Sequence, residues 1–534
     1  MNRTRWYKDG VFYQIWPRSF KDGNGDGMGD LYGVYEKLDY IKSLGVDGIW
    51  FNPLYPSPGV DCGYDIADYM DIAPEFGGMD AFEKVLCGAH ERGMKVIMDL
   101  VINHTSDEHE WFQKSRQRID PYTDYYIWAD KPNNWGSHFE GGSAWQWDDV
   151  RKQYYLHLFA IKQPDLNMDN PLVREEVVKI LNFWLDMGVD GFRDDVITFI
   201  SKKEGLPNDY IFPVARGILN YNYGPHFDEY MQQFKTQAFD GHDYVIIAEA
   251  PLTGPKKALK YIAESDTNPI DMMIQFECMG ADCLVTDFLP LPFSLKKLKK
   301  AFTSWQKTVN GKGWNMLYIE NHDHSRVVSR YGSEKYRNES AKMLCAAYMF
   351  QQGTPFVYMG QELGMTNWYP ESISMYEDVQ TRNQHLNLPE KIRLKISYSA
   401  SRDSARTPIP WSSGKNAGFT EAEKPWFIIN PNYAQINVEV EEKDPDSVLN
   451  FYRKAIKLKK EIARNVPYKE IHKNSGKIFA YTRGEYEIVC SFTEKPVKYS
   501  CDGEIVLSNY KENGETLKPY ECRVYKKLII KSCT

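Results

Sequence analysis

The sequence reads Gly191-Phe192-Arg193-Asp194-Asp195 directly after an apolar, helix-like segment. This short β-type run therefore ends in an arginine and two carboxylates. In a parallel α/β sheet, ligands bind at the carboxyl ends of the strands. Taken alone, an arginine beside two aspartates is more often a surface ion pair. The rest of the chain decides between that interpretation and a functional site.

Strand and helix signals alternate along most of the chain, at a spacing of about 40 residues that is typical of βα units. The predicted strands lie at 12–16, 46–51, 95–101, 189–195, 244–249, 271–277, 314–321 and 354–359. Eight such strands favour an α/β fold of the (β/α)8 TIM barrel type over an open doubly wound sheet. No glycine-rich phosphate loop follows any of them, which disfavours a nucleotide-binding protein.

The spacing of the strands also predicts how the chain divides into domains. The gap between the third and fourth strands is too long for a βα connection. We therefore expect residues 105–172, which are rich in Trp and Tyr, to form an inserted subdomain after strand 3. Short alternating apolar runs predict a C-terminal antiparallel β domain, a β-sandwich, at 468–534. The barrel would then comprise 1–104 and 173–467.

Composition excludes several classes of partner. The chain has 534 residues and a net charge of −8, and without a basic run this argues against nucleic acid. No apolar run reaches the length of about 18 residues that a membrane span needs, and the N-terminus lacks a signal-peptide core. The nine cysteines lack CxxC spacing, which favours reduced thiols. We expect a cytoplasmic, monomeric enzyme with no organic cofactor.

Oxygen-bearing side chains alternate directly after the first predicted strand. Asp22, Asn24, Asp26 and Asp30 would offer side-chain oxygens, and Met28 its carbonyl. Alternating oxygen ligands with glycine at the turn are what a calcium loop requires. The other interpretation is a solvated acidic turn. Because all five positions fit, the sequence predicts a structural Ca²⁺ site, with Mg²⁺ as the alternative ion.

Acidic residues end four of the predicted strands: Asp99 on the third, Asp195 on the fourth, Glu249 on the fifth and Asp323 on the seventh. Each alone is usually a helix cap or an ion pair. Four carboxylates at one barrel mouth repel each other, so the arrangement needs a functional reason. Glycoside cleavage supplies one, because it needs one carboxylate held ionised, here by an arginine, and another kept protonated by its neighbours. A histidine-carboxylate metal centre is the alternative, but four carboxylates are many for zinc.

The order of these motifs resembles the α-amylase superfamily, glycoside hydrolase family 13, over essentially the whole chain. Residues 99–104 resemble the first family motif, 191–195 the second, 246–250 the third and 321–323 the fourth. The four motifs together are specific, because each falls in order at the expected strand.

The resemblance implies a role for each carboxylate. Asp195 would be the nucleophile, Glu249 the acid/base and Asp323 the residue that stabilises the distorted sugar. Three further side chains would line the same sugar site: His104, Arg193 and His322.

Finer motifs are similar to those of the oligo-1,6-glucosidase and dextran glucosidase branch. Residues 163–167 resemble its fifth motif, and Val196 matches the valine that accompanies α-1,6 preference in that branch. Many members of the branch also possess a calcium loop. The resemblance implies further contacts to the terminal sugar, at the closed end of its pocket or from the inserted subdomain: Asp61, Tyr64, Phe159, Gln163 and Arg402.

Four positions depart from the family pattern: Cys62, Asp194, Ala250 and His324. None is one of the three catalytic carboxylates. Asp194, Ala250 and His324 are expected near the leaving sugar, so these departures concern the substrate and not the reaction.

The resemblance implies a retaining exo-α-glucosidase that releases glucose from α-1,6-linked isomalto-oligosaccharides through a covalent glucosyl-Asp195 intermediate. Trehalose-6-phosphate hydrolase is the nearest alternative, with Lys256 and Lys257 available for a phosphate. A broad α-1,4/α-1,6-glucosidase and a sucrose-acting enzyme are others. From a different class, a catalytically inactive barrel could serve as a binding subunit, but the three carboxylates argue against it.

Overall fold

The structure is a computed structural model, and it describes residues 3–139, 142–211, 216–384 and 386–527. In chain order its strands are β1 (Phe12–Ile15), β2 (Gly48–Phe51), β3 (Lys95–Leu100), β4 (Trp128–Ala129), β5 (Trp145–Asp148), β6 (Gln153–Leu156), β7 (Gly191–Asp194), β8 (Val245–Glu249), β9 (Met272–Ile274), β10 (Met316–Leu317), β11 (Thr354–Tyr358), β12 (Tyr468–Ile471), β13 (Ile478–Arg483), β14 (Tyr486–Ser491), β15 (Val497–Lys498), β16 (Glu504–Ser508), β17 (Thr516–Leu517) and β18 (Cys522–Lys526).

The α-helices are α1 (Leu31–Glu36), α2 (Leu38–Ser43), α3 (Gly78–Glu91), α4 (Glu110–Arg116), α5 (Pro171–Met187), α6 (Ile218–Tyr221), α7 (Phe227–Phe234), α8 (Pro255–Ile262), α9 (Leu295–Val309), α10 (Val327–Tyr331), α11 (Arg337–Met349), α12 (Val379–Asn383), α13 (Glu390–Ala400), α14 (Asp403–Arg406), α15 (Val438–Lys443) and α16 (Val448–Glu461). Within the described ranges, none of these helices has the length and apolar character that crossing a membrane requires.

Eight parallel strands form the barrel, in the order β10-β11-β1-β2-β3-β7-β8-β9. This confirms the predicted (β/α)8 fold, and each of the eight predicted strands contains an observed one. The observed strands are shorter than predicted. The apolar run at 314–321 contributes only Met316 and Leu317 to β10, because its last residues leave the sheet and form part of the barrel mouth.

Helix α5 and the turn after it set where β7 begins. Pro171 starts the helix, and the side chain of Asn170 accepts the backbone N–H of Leu172. Gly188 ends the helix with a φ of 109°, a left-handed conformation that glycine adopts at little cost. These caps fix the helix at both ends and direct the chain into the barrel.

Glycine is required at the first position of β7 because β8 approaches closely there. A Cβ on Gly191 would lie 2.1 Å from the carbonyl oxygen of Val245. The parallel register then sets Arg193 opposite Asp99 of β3 and opposite Ile247 of β8. Strands β3, β7 and β8 therefore deliver their polar side chains to the same edge of the barrel.

The segment between β3 and α5 carries a three-stranded antiparallel sheet in the order β4-β6-β5, as expected for an insertion after strand 3. Its residues Trp135 and Leu158 pack against Val196 and Phe199, which follow β7. The insertion thus covers one side of the barrel mouth.

The C-terminal part is antiparallel, as predicted. It contains a five-stranded sheet in the order β12-β13-β14-β18-β16 and a two-stranded sheet of β15 and β17. The residue limits expected for the three domains stay predictions.

Candidate active site

Three of the four predicted carboxylates stand at strand ends of the barrel. Asp99 is the last residue but one of β3, Asp195 directly follows β7, and Glu249 is the last residue of β8. The fourth, Asp323, lies in the loop after β10, where its backbone N–H donates to the side-chain oxygen of Asn321 at 3.0 Å. All four therefore face the same mouth, as the sequence predicts.

One buried arginine joins three of these carboxylates. Arg193 Nη1 donates to Asp195 Oδ1 at 2.9 Å and to Asp99 Oδ1 at 3.3 Å. Its Nη2 donates to Glu249 Oε2. Arg193 is 2% exposed. Because water does not reach the guanidinium to screen its charge, each of these contacts is stronger than it would be at the surface.

The protonation of Asp195 and Glu249 is shared. Burial raises the pKa of both carboxyls above their ordinary values, although Arg193 acts in the opposite direction. The charge of Glu249 raises the pKa of Asp195 further. Arg193 contacts both carboxyls, whereas the sequence analysis expected an arginine to hold only one of them ionised. The two carboxyls therefore titrate as a pair.

Asp323 has the opposite electrostatic environment. Burial opposes its ionisation, but contact with His322 and the charges of Arg402 and Arg406 outweigh this and hold the pKa of Asp323 below its ordinary value. The guanidinium of Arg402 lies 3.5 Å from its carboxylate and that of Arg406 lies 3.7 Å away. Asp323 is therefore an anion at neutral pH, suited to stabilising positive charge on a sugar.

A layer of aromatic and polar side chains supports Asp323 from below. Gln14 Nε2 donates to His322 Nδ1 at 2.8 Å, so the ring proton is on Nε2, which lies 3.0 Å from Asp323. His322 Nε2 also contacts the hydroxyl of Tyr64 at 2.6 Å, and that hydroxyl donates to Asp99 at 2.7 Å. Burial holds the pKa of His322 well below its ordinary value. His322 is thus a neutral donor.

The far end of the site is formed by charged residues from distant segments. Arg402 Nη2 lies 3.2 Å from Asp61 Oδ1 and 2.6 Å from Asp378 Oδ1. The ring of Phe139 packs against the same guanidinium, with its centroid 5.2 Å from the central carbon. Burial raises the pKa of Asp61 to about 6, although Arg402 opposes this. Asp61, Phe139 and Arg402 line the cavity at this end.

His104 forms the side wall next to Asp61, and the buried side chain of Gln163 supports it. Gln163 Nε2 lies 3.3 Å from Asp61 Oδ2 and 3.2 Å from His104 Nε2. Burial lowers the pKa of His104 to about 4, so the ring is neutral at neutral pH. The ring centroid of Phe159 lies 5.1 Å from that of His104. This wall offers hydrogen-bonding groups and an aromatic face to one sugar ring.

These groups enclose a cavity of about 170 Å³, which opens into a cleft of about 890 Å³ beside the inserted region. The cavity is lined by most of the predicted site residues: Asp61, Tyr64, His104, Phe159, Asp195, Glu249, Asp323 and Arg402. Arg193, Gln163 and His322 do not line it, and act through the residues that do. Val196, at the exit, has a φ of 34°, a strained conformation for a β-branched residue and one found at functional sites.

Sequence reasoning missed several residues of this site, among them Phe276, which lines the cavity next to β9. Asp378 binds Arg402 and also caps α12, and Phe139 and Gln380 line the cavity. Asp378 and Gln380 lie in the long irregular stretch after β11, where no strand pattern marks a position. Phe139 is one of many aromatic residues in the insertion. No signal in the sequence distinguished these residues.

Two of the departures from the family pattern lie elsewhere than expected. Asp194 and Ala250 are each 1% exposed, and neither lines the cavity or the cleft. Side chains alternate between the faces of a strand, so Asp194 points away from the face that carries Arg193 and Asp195. His324 does line the cavity.

The lysines considered for a phosphate also lie outside the site. Lys256 and Lys257 are exposed on α8, and Lys257 Nζ lies 3.6 Å from the ring centroid of Tyr223. Neither lines the cavity or the cleft. Within the described ranges, the arginine and lysine side chains that do are Arg216 and Arg402.

The candidate calcium loop uses much of its oxygen for its own backbone. Asp22 accepts three N–H groups from the loop at 2.6 to 3.1 Å. Asp30 accepts three at 2.7 to 3.2 Å, one of which caps α1. Asn24 Nδ2 donates to Asp26 at 3.0 Å. The backbone N–H of Met28 donates to Asp26 Oδ1 at 2.8 Å.

The residue types in this loop fit calcium, but a bound ion would have to draw the carboxylates closer. Among the His, Cys, Asp and Glu side chains of the described chain, only Asp282, Cys283 and Asp287 bring three ligand atoms within 4.8 Å of one another, and Arg330 contacts both aspartates. Calcium in the loop stays a prediction.

Comparisons with known proteins agree with this arrangement. The family described as alpha amylase, catalytic domain, matches residues 14–466. The chain is 45% identical to an oligo-1,6-glucosidase from Parageobacillus thermoglucosidasius, over 98% of this chain and 99% of the relative. A trehalose-6-phosphate hydrolase structure from Bacillus licheniformis superposes with a TM-score of 0.92 at 40% identity, covering 97% of this chain and 99% of that one. An isomaltulose synthase from Klebsiella sp. LX3 superposes with a TM-score of 0.93 at 38% identity, covering 98% and 100%.

Proposed function

Because this chain belongs to the α-amylase family, glycoside hydrolase family 13, we propose that it is a retaining exo-α-glucosidase that removes glucose from α-1,6-linked isomalto-oligosaccharides. That the protein is a glycoside hydrolase acting on an oligosaccharide follows from its family and relatives. The linkage, the exo mode and the covalent intermediate are the proposal. The observation that carries it is the closed cavity in which Arg193 holds Asp195 beside Glu249.

The close approach of the two carboxyls supports the retaining mechanism. Asp195 and Glu249 bind the same guanidinium, Asp195 through Nη1 and Glu249 through Nη2. An inverting enzyme keeps its carboxyls about 6.5–9.5 Å apart to admit a water molecule, whereas a retaining enzyme keeps them about 5–5.5 Å apart. In the first step Asp195 attacks the anomeric carbon while Glu249 gives its proton to the leaving oxygen. In the second step Glu249 takes a proton from water, which displaces Asp195.

The closed end of the cavity supports exo action. Asp61 and Arg402 can hydrogen-bond the outer hydroxyls of a terminal glucose, and charge-assisted bonds of this kind contribute about 1.5–3 kcal/mol each. Arg402 Nη2 also donates to Asp378 Oδ1 at 2.6 Å, and this contact holds the Arg402 guanidinium in position beside Asp61. A longer chain would have to pass through this position. The cavity therefore accepts one sugar unit from the non-reducing end.

The proposed preference for α-1,6 bonds rests on the similarity of this chain to its relatives. Relatives named oligo-1,6-glucosidase are 40–45% identical to this chain, and Val196 stands at the exit of the cavity. A trehalose-6-phosphate hydrolase relative shares 40%. A 6-phosphate on the leaving sugar would need cations in the cleft. Among the described residues, Arg216 is the cation that lines the cleft, whereas Arg402 lies at the closed end of the cavity. With this one cation in the cleft, trehalose-6-phosphate hydrolase is the second candidate function.

A substrate panel tests the proposal. We expect kcat/KM for glucose release to be highest on isomaltose among isomaltose, maltose, panose, sucrose and trehalose 6-phosphate. Panose should yield glucose and maltose first, and proton NMR should show α-glucose as the first anomer. Glu249→Gln enzyme serves as the blank. Highest kcat/KM on trehalose 6-phosphate or on maltose would replace the proposed substrate, and early β-glucose would exclude retention.

A further inference from the structure

His324 stands at the exit of the sugar cavity with one ring nitrogen unused. It directly follows Asp323 and lines both the cavity and an adjoining pocket of about 230 Å³. The side chain is 13% exposed, and its Nδ1 lies 2.5 Å from Asp287 Oδ2. Nε2 is buried and has no hydrogen-bond partner in the described protein. A buried polar atom without a partner is costly and is a sign of a missing one.

Three charged residues fix the orientation of this ring. Asp287 Oδ1 lies 3.1 Å from Arg330 Nη2. Arg330 binds Asp282 with Nε at 2.8 Å and Nη2 at 2.6 Å, and its side chain is 1% exposed. Although burial opposes it, the charge of Arg330 and contact with His324 hold the pKa of Asp287 below its ordinary value. An ionised Asp287 only accepts, so Nδ1 of His324 carries the proton.

His324 lies on the side of the cavity by which the leaving group departs. The opposite end of the cavity is closed by Asp61 and Arg402, which lie 3.2 Å apart. The acid Glu249 lines both the cavity and the large cleft, so the bond is cleaved between them. His324 lines the cavity on its open side, together with Phe276 and Gln380, which also line the adjoining pocket.

We propose that His324 is a specificity-determining residue whose Nε2 hydrogen-bonds a hydroxyl of the leaving sugar, with Asp287 and Arg330 as positioning residues. This inference rests on the proposed exo-glucosidase function, because it assumes that the cavity holds the glucose and the cleft holds the leaving group. It selects leaving groups that carry ring hydroxyls over flat aryl groups. The alternative is that the His324–Asp287 pair only stabilises the fold.

The test compares a sugar leaving group with an aryl one. Wild type, His324→Ala, His324→Gln and Asp287→Asn would be assayed on isomaltose and on 4-nitrophenyl α-glucoside. A lost hydrogen bond of this kind should lower kcat/KM on isomaltose about 10- to 100-fold in His324→Ala, and on the aryl glucoside by less than about 3-fold. His324→Gln, which keeps a polar group, should recover part of the loss. His226→Gln is the matched control, because His226 is exposed and binds Glu229 on α7.

Asp287→Asn separates positioning from direct contact. It should weaken isomaltose hydrolysis in the same direction as His324→Ala, and the double variant should be no worse than His324→Ala alone. Equal losses on both substrates, or additive losses in the double variant, would overturn the inference. If wild type cleaves another disaccharide and not isomaltose, the linkage proposal fails and the same ratio is measured with that disaccharide. Circular dichroism shows which variants are folded, and His324→Gln replaces His324→Ala if the latter is not.

Discussion

Arg193 is a single buried cation in contact with Asp99, Asp195 and Glu249. Burying charge is costly unless partners compensate it. Here one positive charge faces three acidic groups, so Arg193 cannot compensate the negative charges of all three when they are ionised. Burial raises the pKa of Asp195 and Glu249. A raised pKa suits Glu249 to carry the proton that the leaving oxygen requires.

Substitution of the two central carboxyls tests this assignment. Glu249→Gln removes the proton donor, and Asp195→Ala removes the nucleophile, while both changes keep a residue of similar or smaller size. Loss of a general acid costs about 10²–10⁴-fold and loss of a nucleophile at least as much. We expect turnover of unactivated oligosaccharide to fall by these factors with the unfolding transition retained. Near-normal turnover by Glu249→Gln would show that another group is the acid.

The site residues that strand patterns in the sequence locate are those at the ends of strands. Asp195 and Glu249 were predictable because a buried apolar run marks where each strand ends, and parallel strands end at one edge. Asp378 and Phe139 were not, because their role depends on where irregular segments fold over the mouth. Asp194 was misplaced for a related reason: its position beside the nucleophile in sequence hides that β7 turns it to the opposite face.

At the scale of elements, the loop at 22–30 joins β1 to α1 and contacts the segment after α14. The hydroxyl of Thr420 donates to Asp22, and a Cβ on Gly27 would lie 2.5 Å from the carbonyl oxygen of Lys424. The loop therefore ties two distant parts of the chain together. An ion bound there would stabilise the fold and would not contact the catalytic carboxyls.

Chelation tests the calcium prediction. An ion that binds only the native state adds about 2.7 kcal/mol of stability at a hundredfold excess over its Kd. We expect a chelator to lower Tm while kcat at low temperature stays the same in protein that is still folded. Elemental analysis of the untreated protein should show about one calcium per chain. An unchanged Tm together with no bound metal would identify the loop as an acidic turn.

Helix α4 begins with a buried histidine. His109 Nδ1 accepts the backbone N–H of Trp111 at 3.0 Å, and the side chain is 5% exposed. Burial lowers the pKa of His109 to about 3. Below its unfolded pKa of about 6.5 the unfolded chain binds a proton that the folded chain refuses. His109 therefore stabilises the fold at neutral pH, and this contribution is lost as pH falls from about 6.5 towards 3.

Substitution of His109 isolates this contribution from the other titrating groups. His109→Asn keeps an oxygen for the helix cap and removes the titration. At about 1.4 kcal/mol per pH unit, the stability of wild type relative to the variant should fall by about 3 kcal/mol between pH 7 and pH 4. Denaturant unfolding of both proteins at the two pH values measures it. A difference that does not depend on pH would show that His109 titrates normally in the folded chain.

At the scale of the whole molecule, the closed end of the cavity is assembled from segments that are far apart in sequence. Asp61 follows β2, Phe139 belongs to the insertion, Asp378 caps α12 and Arg402 follows α13. The barrel and its strand order were predictable from the spacing of apolar runs. The family resemblance placed Asp61 and Arg402 together at this end. The contacts of Phe139 and Asp378 with Arg402 were not predictable, because no periodic pattern relates these residues and only the folded chain brings them together.

The central claim is that this closed end makes the enzyme release glucose one unit at a time from the non-reducing end. The most direct measurement is the early digestion of isomaltotetraose that carries a fluorescent label at its reducing end, followed by chromatography. The structure predicts unlabelled glucose and labelled isomaltotriose as the first products, in equal amounts. Labelled isomaltose with unlabelled isomaltose as the dominant first pair would show that the cavity is open at Asp61 and Arg402 and would contradict the account.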